Sequence, residues 1–190
     1  IEAPIIMLLA ASTALSKDWT SYLKIRRFMN VTSGSLTALH VILAFTPLYY
    51  VVSRDVIGAP EEIIEPARIG LMIMLPWTWA IAYRRFNQGV LIRFGHSLIV
   101  GQGTLVRLIA DLAVLSAGYA YGKLPGIVVA TSAVAVGVTA EALFIGIKVQ
   151  PVLNQELKSA PAVNPELDRS TFLRFYVPLA LTSLMTLLSQ

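Results

Sequence analysis

The sequence of 190 residues contains no cysteine and only two histidines. The lack of cysteine excludes disulfides and thiolate metal sites, although it does not identify the cellular compartment. His40 and His96 are far apart in the sequence, so they form no metal cluster, and we expect them to be packing and interfacial residues. No H-E-x-x-H, G-x-S-x-G or P-loop motif is present. We therefore expect that the protein is not an enzyme and holds no cofactor or metal.

Charged residues are also scarce. They make up 14% of the chain, whereas hydrophobic residues make up 56%. Since a soluble domain carries about 25% charged residues, this composition predicts a helical membrane protein with several spans. No basic region precedes the first apolar run, so no signal peptide is visible. The basic residues occur without an RNA- or DNA-binding motif, and we expect no nucleic-acid partner.

Hydrophobic segments divide the chain into six candidate spans, at about residues 1–16, 31–52, 66–93, 97–121, 127–147 and from 171 onward. Pro60 and Pro66 are expected to set the start of the third segment, whose length indicates a tilt, a kink at Pro76 or a protrusion from the membrane. The first segment is shorter than the ~20 residues that a span requires, and the given sequence begins and ends inside apolar runs. We therefore expect a fragment of a longer protein. The predicted fold class is all-α, a polytopic transmembrane helical bundle of about six spans.

The connectors between these segments alternate in charge. Residues 17–30, 84–96 and 148–174 are basic, whereas residues 53–68 are acidic and the fourth connector is short. Loops rich in lysine and arginine remain on the cytoplasmic side of a membrane. We therefore predict that the three basic connectors are cytoplasmic, with Arg93 at the inner surface.

An arginine and an aspartate lie inside the fourth segment. Arg107 is ten residues beyond Ser97, which places it roughly 15 Å into a ~30 Å hydrocarbon core. Asp111 follows at i+4 on the same helix face. Gly103 precedes Arg107 by four residues, which leaves space on that face for water, a ligand or another helix. Two interpretations are open, a structural ion pair or a pair that lines a cavity. Charged residues at membrane depth usually serve function.

Other charged and polar residues are candidates for the same pathway. The inner end of the third segment contains Arg84, Arg85 and Gln88. The two arginines either belong to a cytoplasmic loop or lie inside the membrane at about the same depth as Arg107. Glu141 would lie ~10 Å deep on the fifth segment and could pair with them. Glu2 is either a carboxylate that binds a proton or Na⁺ for coupling, or a helix-cap residue.

Several motifs resemble one transporter family. They are ALSKDWTSYLKIRRFM at residues 14–29, TPLYYVV at 46–52, the arginine-bearing pair AYRRFNQGVLIRFGHSLIVGQGTLVRLI at 82–109, and FLRFYVPLALTSLM at 172–185 after a proline-rich linker. Together they resemble the N-terminal half of multidrug and toxin extrusion (MATE) transporters, in the multidrug/oligosaccharidyl-lipid/polysaccharide flippase superfamily. The arginine-bearing pair is also similar to that of progressive-ankylosis type exporters of pyrophosphate, ATP or citrate.

This resemblance implies a fold of twelve helices in two six-helix lobes around a central cavity. Residues 1–148 would be the N-terminal transmembrane lobe, with helices two to six of the family pattern. Residues 149–170 would be the cytoplasmic linker between the lobes, and residues 171–190 the start of the second lobe. Family members differ in where the cation-coupling acid lies, so the coupling ion and the substrate do not carry over.

The sequence therefore predicts a secondary active exporter or antiporter that works by alternating access. Its substrate would be an anionic or amphiphilic small molecule, with possible H⁺ or Na⁺ coupling. The expected location is a bacterial inner membrane, among membrane lipids, with one full-length two-lobe chain as the functional unit. The alternatives are a flippase for lipid-linked oligosaccharides, cationic multidrug efflux, and a membrane receptor or structural module that transports nothing.

Overall fold

The computed structural model describes residues 3–188, and this part of the chain is helical with no strand. The α-helices are α1 Ala3–Ile6, α2 Leu8–Leu15, α3 Trp19–Phe45, α4 Leu48–Tyr50, α5 Glu61–Ile73, α6 Leu75–Arg93, α7 Ser97–Tyr121, α8 Gly126–Val152 and α9 Arg169–Leu188. Two π-helical segments, Val51–Val56 and Leu153–Leu157, follow α4 and α8. The predicted all-α class is confirmed.

Three helical stretches are long and apolar enough to cross a membrane within the described residues. They are Trp19–Phe45, Ser97–Tyr121 and Gly126–Leu157, of 27, 25 and 32 residues. Each exceeds the ~20 residues that the hydrocarbon core requires. Helices satisfy their own backbone hydrogen bonds, so such segments can reside in lipid. The structure therefore agrees with a helical membrane protein.

Helix α3 starts earlier than the sequence indicated. Asp18 has extended backbone angles, and its Oδ1 accepts a hydrogen bond from the Ser21 amide at 2.8 Å, which caps the helix at Trp19. The basic residues of the predicted connector 17–30 thus lie mostly on the first turns of a helix, and not on a loop. The helix ends at Phe45 because Thr46 precedes Pro47 and is extended.

The predicted third segment is two helices. Helix α5 starts at Glu61, directly after Pro60, so the prediction is confirmed for Pro60 and wrong for Pro66, which lies inside α5. Helix α5 ends at Ile73, and α6 begins at Leu75 with Pro76 in its first turn. Proline fits a first turn because the amide it lacks has no partner there. The expected kink at Pro76 is therefore a break between helices.

The later boundaries follow turn residues. Helix α7 ends at Tyr121, and Gly122 follows with a φ of 65°, a left-handed conformation that glycine adopts without strain. Helix α8 and its π-helical segment continue to Leu157. The predicted linker 149–170 therefore begins as helix, and only residues 158–168 lack helical structure.

Helix α6 lies at the centre of the bundle. Its side chains Phe86, Val90 and Leu91 are almost fully buried and belong to one core with residues of α2, α3 and α8. A Cβ at Gly89 would lie 2.5 Å from the Leu9 carbonyl oxygen of α2, so only glycine allows this approach. Arg84, in the middle of α6, is consequently held inside the bundle.

Candidate functional site

One face of α8 carries a row of buried residues against which α7 and α6 pack closely. Residues at four-residue spacing, Ala133, Gly137, Glu141, Ile145 and Val149, are all buried. The small residues among them let neighbouring helices approach closely. Gly103 of α7 is buried against this row, with its Cβ position 3.0 Å from Ile145 Cδ1. The space that the sequence suggested beside Gly103 is therefore filled by α8.

Glu141 is the anchor of a buried polar network. One of its carboxylate oxygens, Oε2, accepts from Arg84 Nη1 in a short ion pair, and Oε1 accepts from Gln88 Nε2 at 3.0 Å. Arg84 and Gln88 lie four residues apart, on the same face of α6. Glu141, Gln88 and Arg84 are 1%, 2% and 6% exposed. Glu141 thus pairs with Arg84, and the alternative that Arg84 marks a loop is wrong.

This network retains polar atoms without partners. In the described part of the chain, six buried side-chain nitrogen or oxygen atoms lack a hydrogen bond, and four belong to the candidate site. They are Arg84 Nε, Arg85 Nε, Gln88 Oε1 and Asp111 Oδ1. An unsatisfied buried polar atom is costly, and such atoms in native proteins call for an explanation such as an unseen water, ion or ligand.

Arg107 and Asp111 form a looser pair on α7. Arg107 Nε lies 3.6 Å from Asp111 Oδ2, which is too long for a hydrogen bond, and the side chains are 36% and 21% exposed. The Asp111 carboxylate rests on α8, where a Cβ on Gly137 would overlap its Oδ1. The pair therefore lies at the edge of the bundle, where α7 meets α8.

Arg85 joins these two groups electrostatically. It is close enough to Arg84, Glu141 and Arg107 for charge interactions with all three. With Asp111, the cluster contains three arginines and two acids, so one positive charge is in excess. We call these five residues and Gln88 the charged cluster. Its members lie near the middle of α6, α7 and α8.

Two other sequence candidates lie elsewhere. Arg93 is exposed and donates to the carbonyl oxygens of Thr13 and Ala14 at 3.0 and 3.2 Å, so it caps the end of α2. His40 is buried and its Nε2 lies 2.9 Å from the Leu71 carbonyl oxygen, as expected of a packing residue. Glu2 lies outside the described residues.

A cavity beside the cluster was missed by the sequence reasoning. Its volume is about 720 Å³, and its lining includes Trp79, Tyr83, Gln150 and Asn154 from α6, α8 and the following π-helical segment. Trp79 and Tyr83 stack with their ring centroids 5.0 Å apart. The spacing of these two aromatic residues, i and i+4 on α6, is the feature of the sequence that indicates an aromatic wall. Tyr83 and Arg84 are neighbours on α6, so the cavity wall and the cluster share this helix.

The cluster contains groups that can bind an anion and groups that can bind a cation. Guanidinium groups pair with carboxylates and phosphates, and a carboxylate such as Glu141 can accept a proton or coordinate Na⁺. Within residues 3–188, no group of three or more histidine, cysteine, aspartate or glutamate residues is arranged to hold a metal.

Comparison with known proteins adds no identification. No family model, no curated protein and no solved structure matches the chain.

Proposed function

We propose that the chain is part of a secondary active transporter that moves an anionic or amphiphilic small molecule. The observation that carries this proposal is the charged cluster. It buries the Arg84–Glu141 pair between α6 and α8, has one excess positive charge and includes four unpaired polar atoms. Charged residues buried between membrane helices usually mark a substrate or ion pathway.

The cluster suggests how substrate and coupling ion would act on each other. An anion would supply acceptors that Arg84 Nε and Arg85 Nε lack. A proton or Na⁺ on Glu141 would weaken its ion pair with Arg84 and free that guanidinium for the anion. Cation binding at Glu141 and anion binding at Arg84 would then promote each other, which is a reciprocal linkage between coupling ion and substrate.

The finer points of the proposal rest on the sequence resemblance. The chain would form about six spans of one lobe of a twelve-helix MATE-like transporter, in a bacterial inner membrane. Residues 149–170 would connect this lobe to a second one that begins at residue 171. The substrate would be a free or lipid-linked small molecule. The exposed surface of α7, where only Gly103 is buried, is the surface available to face a second lobe or lipid.

Transport by the full-length chain in proteoliposomes tests the proposal. Arg84→Gln, Arg85→Gln and Arg107→Gln should each reduce uptake of an anionic substrate by roughly 10- to 100-fold, since a hydrogen bond to a charged group is worth about 1.5–3 kcal/mol. Arg93→Gln is the matched control, because Arg93 is exposed and its hydrogen bonds go to the end of α2. Unchanged transport of every anionic candidate in all three variants would refute it.

A structural role for the buried pair is the competing interpretation, favoured by the direct Arg84–Glu141 contact. It predicts that the swapped variant Arg84→Glu with Glu141→Arg restores full function, because the pair alone would matter. If the cluster instead lies on a substrate pathway, the swap should restore folding but not transport. Arg85 and Gln88 would then lie beside charges of the opposite sign. Cationic drug efflux is disfavoured, since arginines outnumber acids in the cluster.

A further inference from the structure

A second cavity lies between the N-terminal parts of α3 and α9, and no residue of the charged cluster lines it. Its volume is about 560 Å³. Lys24, Arg27, Phe28 and Val31 line it from α3, and Arg169 and Phe172 line it from α9. Pockets of roughly 300–1,000 Å³ are typical of small-molecule sites. We call it the α3–α9 groove.

Two arginines at the rim of the groove carry positive charge that no acid of the described chain neutralises. Arg27 is the last charged residue of α3 before residues 28–45, which contain no Asp, Glu, Lys or Arg. These 18 residues span ~27 Å as a helix, close to the thickness of the hydrocarbon core, so Arg27 stands at its boundary. Arg169 is the first residue of α9. In the described chain, neither arginine makes an ion pair or hydrogen bond.

The acids near the groove already have partners. Glu166 pairs with Lys24, with Oε2 2.8 Å from Nζ. Asp168 lines the groove itself, and its Oδ1 accepts from the Thr171 amide at 2.8 Å and caps α9. Lys24 is thus neutralised locally, whereas Arg27 and Arg169 remain available to an anion.

The inner wall of the groove is apolar and aromatic. Phe28 contacts Phe172 and Tyr176 edge-on, with centroids 4.8 and 4.9 Å apart. Val31, one turn beyond Arg27, is 62% exposed. An occupant therefore meets two guanidinium groups at one end and hydrocarbon at the other. Inorganic phosphate would leave the apolar part unfilled.

We propose that the α3–α9 groove binds an anionic membrane phospholipid. The phosphate headgroup would contact Arg27 and Arg169, and an acyl chain would run along Phe28 and Val31. Basic pockets between membrane helices on the cytoplasmic side bind anionic lipid headgroups, and both arginines belong to connectors predicted to be cytoplasmic. The lipid would bridge α3 to α9, and this site is independent of the transport proposal.

Native mass spectrometry of the full-length protein in detergent tests the inference, with phosphatidylglycerol and phosphatidylcholine of identical acyl chains as probes. Phosphatidylglycerol should be retained preferentially. Each basic residue at the surface contributes about 1 kcal/mol, so the double variant Arg27→Gln/Arg169→Gln should weaken its binding roughly 25- to 30-fold. The matched control, Arg26→Gln/Arg174→Gln, removes the same charge from exposed positions on the same helices outside the groove.

Other outcomes would overturn the assignment. Equal retention of the two lipids, or equal losses in the two double variants, would mean that no specific lipid site exists. If millimolar inorganic phosphate displaces the lipid, the two arginines form a site for a free anion and not for a phospholipid. Val31→Trp, which fills the apolar end from an exposed position, gives a second measurement: it should reduce lipid retention while the melting temperature stays unchanged. Retention unaffected by Val31→Trp would place the lipid elsewhere.

Discussion

The buried carboxylate of Glu141 is stable in the bundle only because two side chains of α6 approach it. A charge transferred from water to a protein interior loses several kcal/mol of hydration, and a well-placed partner offsets that loss. Arg84 supplies the opposite charge and Gln88 a hydrogen bond at 3.0 Å. The stability of the bundle therefore depends on keeping the pair complete.

Replacing Glu141 by glutamine is expected to destabilise the protein by about 3–5 kcal/mol, because Arg84 would remain buried without a counter-charge. Glutamine has nearly the same shape as glutamate, so the loss of stability measures the loss of the negative charge. Unfolding in detergent, followed by circular dichroism, measures it. Asp111→Asn is the matched control: its pair with Arg107 is looser and part-exposed, and should contribute only about 0–1 kcal/mol. Equal losses in the two variants would contradict this prediction.

At the scale of elements, the contact between α2 and α6 depends on Gly89. A Cβ there would lie 2.5 Å from the Leu9 carbonyl oxygen and 2.9 Å from the Thr13 amide nitrogen, both backbone atoms. Backbone cannot rotate away as a side chain can, so the two helices would have to separate. The same helix pair is joined by Thr13 Oγ1, which donates to the Gly89 carbonyl oxygen at 3.2 Å.

Gly89→Ala should therefore lower stability by about 1–3 kcal/mol through overpacking, although alanine is the better helix former. Gly101→Ala on α7 is the control, since a Cβ there meets nothing within 4 Å and should stabilise the helix by up to about 1 kcal/mol. Thermal unfolding of both variants in detergent provides the comparison. Stabilisation of both proteins would show that α2 does not pack on Gly89 as described.

At the scale of the whole molecule, residues 158–168 are fastened to the start of α3. Asp18 Oδ2 accepts from the Val163 amide at 2.8 Å, and Lys24 Nζ donates to Glu166 and to the Leu167 carbonyl oxygen. Two parts of the chain separated by most of its length thus meet at one end of the bundle. Burial alone would raise the pKa of Asp18, but hydrogen bonds from Val163 and Ser21 outweigh it and lower the pKa.

The Asp18 contact should make stability depend on pH. Its folded pKa lies below the ordinary 3.8, so its contribution is present above about pH 4 and is lost as pH falls through the folded value. Asp18→Asn should lower the melting temperature at pH 7, and the difference from wild type should shrink toward pH 3. Asp55→Asn, at an exposed position, should leave the curve unchanged. A difference that persists undiminished at pH 3 would rule out the charge as its source.

Hydrophobic patterning predicted α7 and α8 well, because each is a long apolar run bounded by glycine or proline. It failed where polar sequence is helical. The basic residues after Asp18 suggested a loop, yet an N-cap and packing of Tyr22 and Ile25 into the core make them part of α3. Local composition cannot show which face of a polar helix is buried.

The sequence alone determined that the chain is helical and suited to a membrane, because apolar segments this long must satisfy their backbone hydrogen bonds internally. Only the tertiary structure decided which charges meet. Arg84 and Arg85 are adjacent in sequence but point about 100° apart around α6, since a helix has 3.6 residues per turn. The close approach of α8 then selects Arg84 as the partner of Glu141 and leaves Arg85 Nε without a bond.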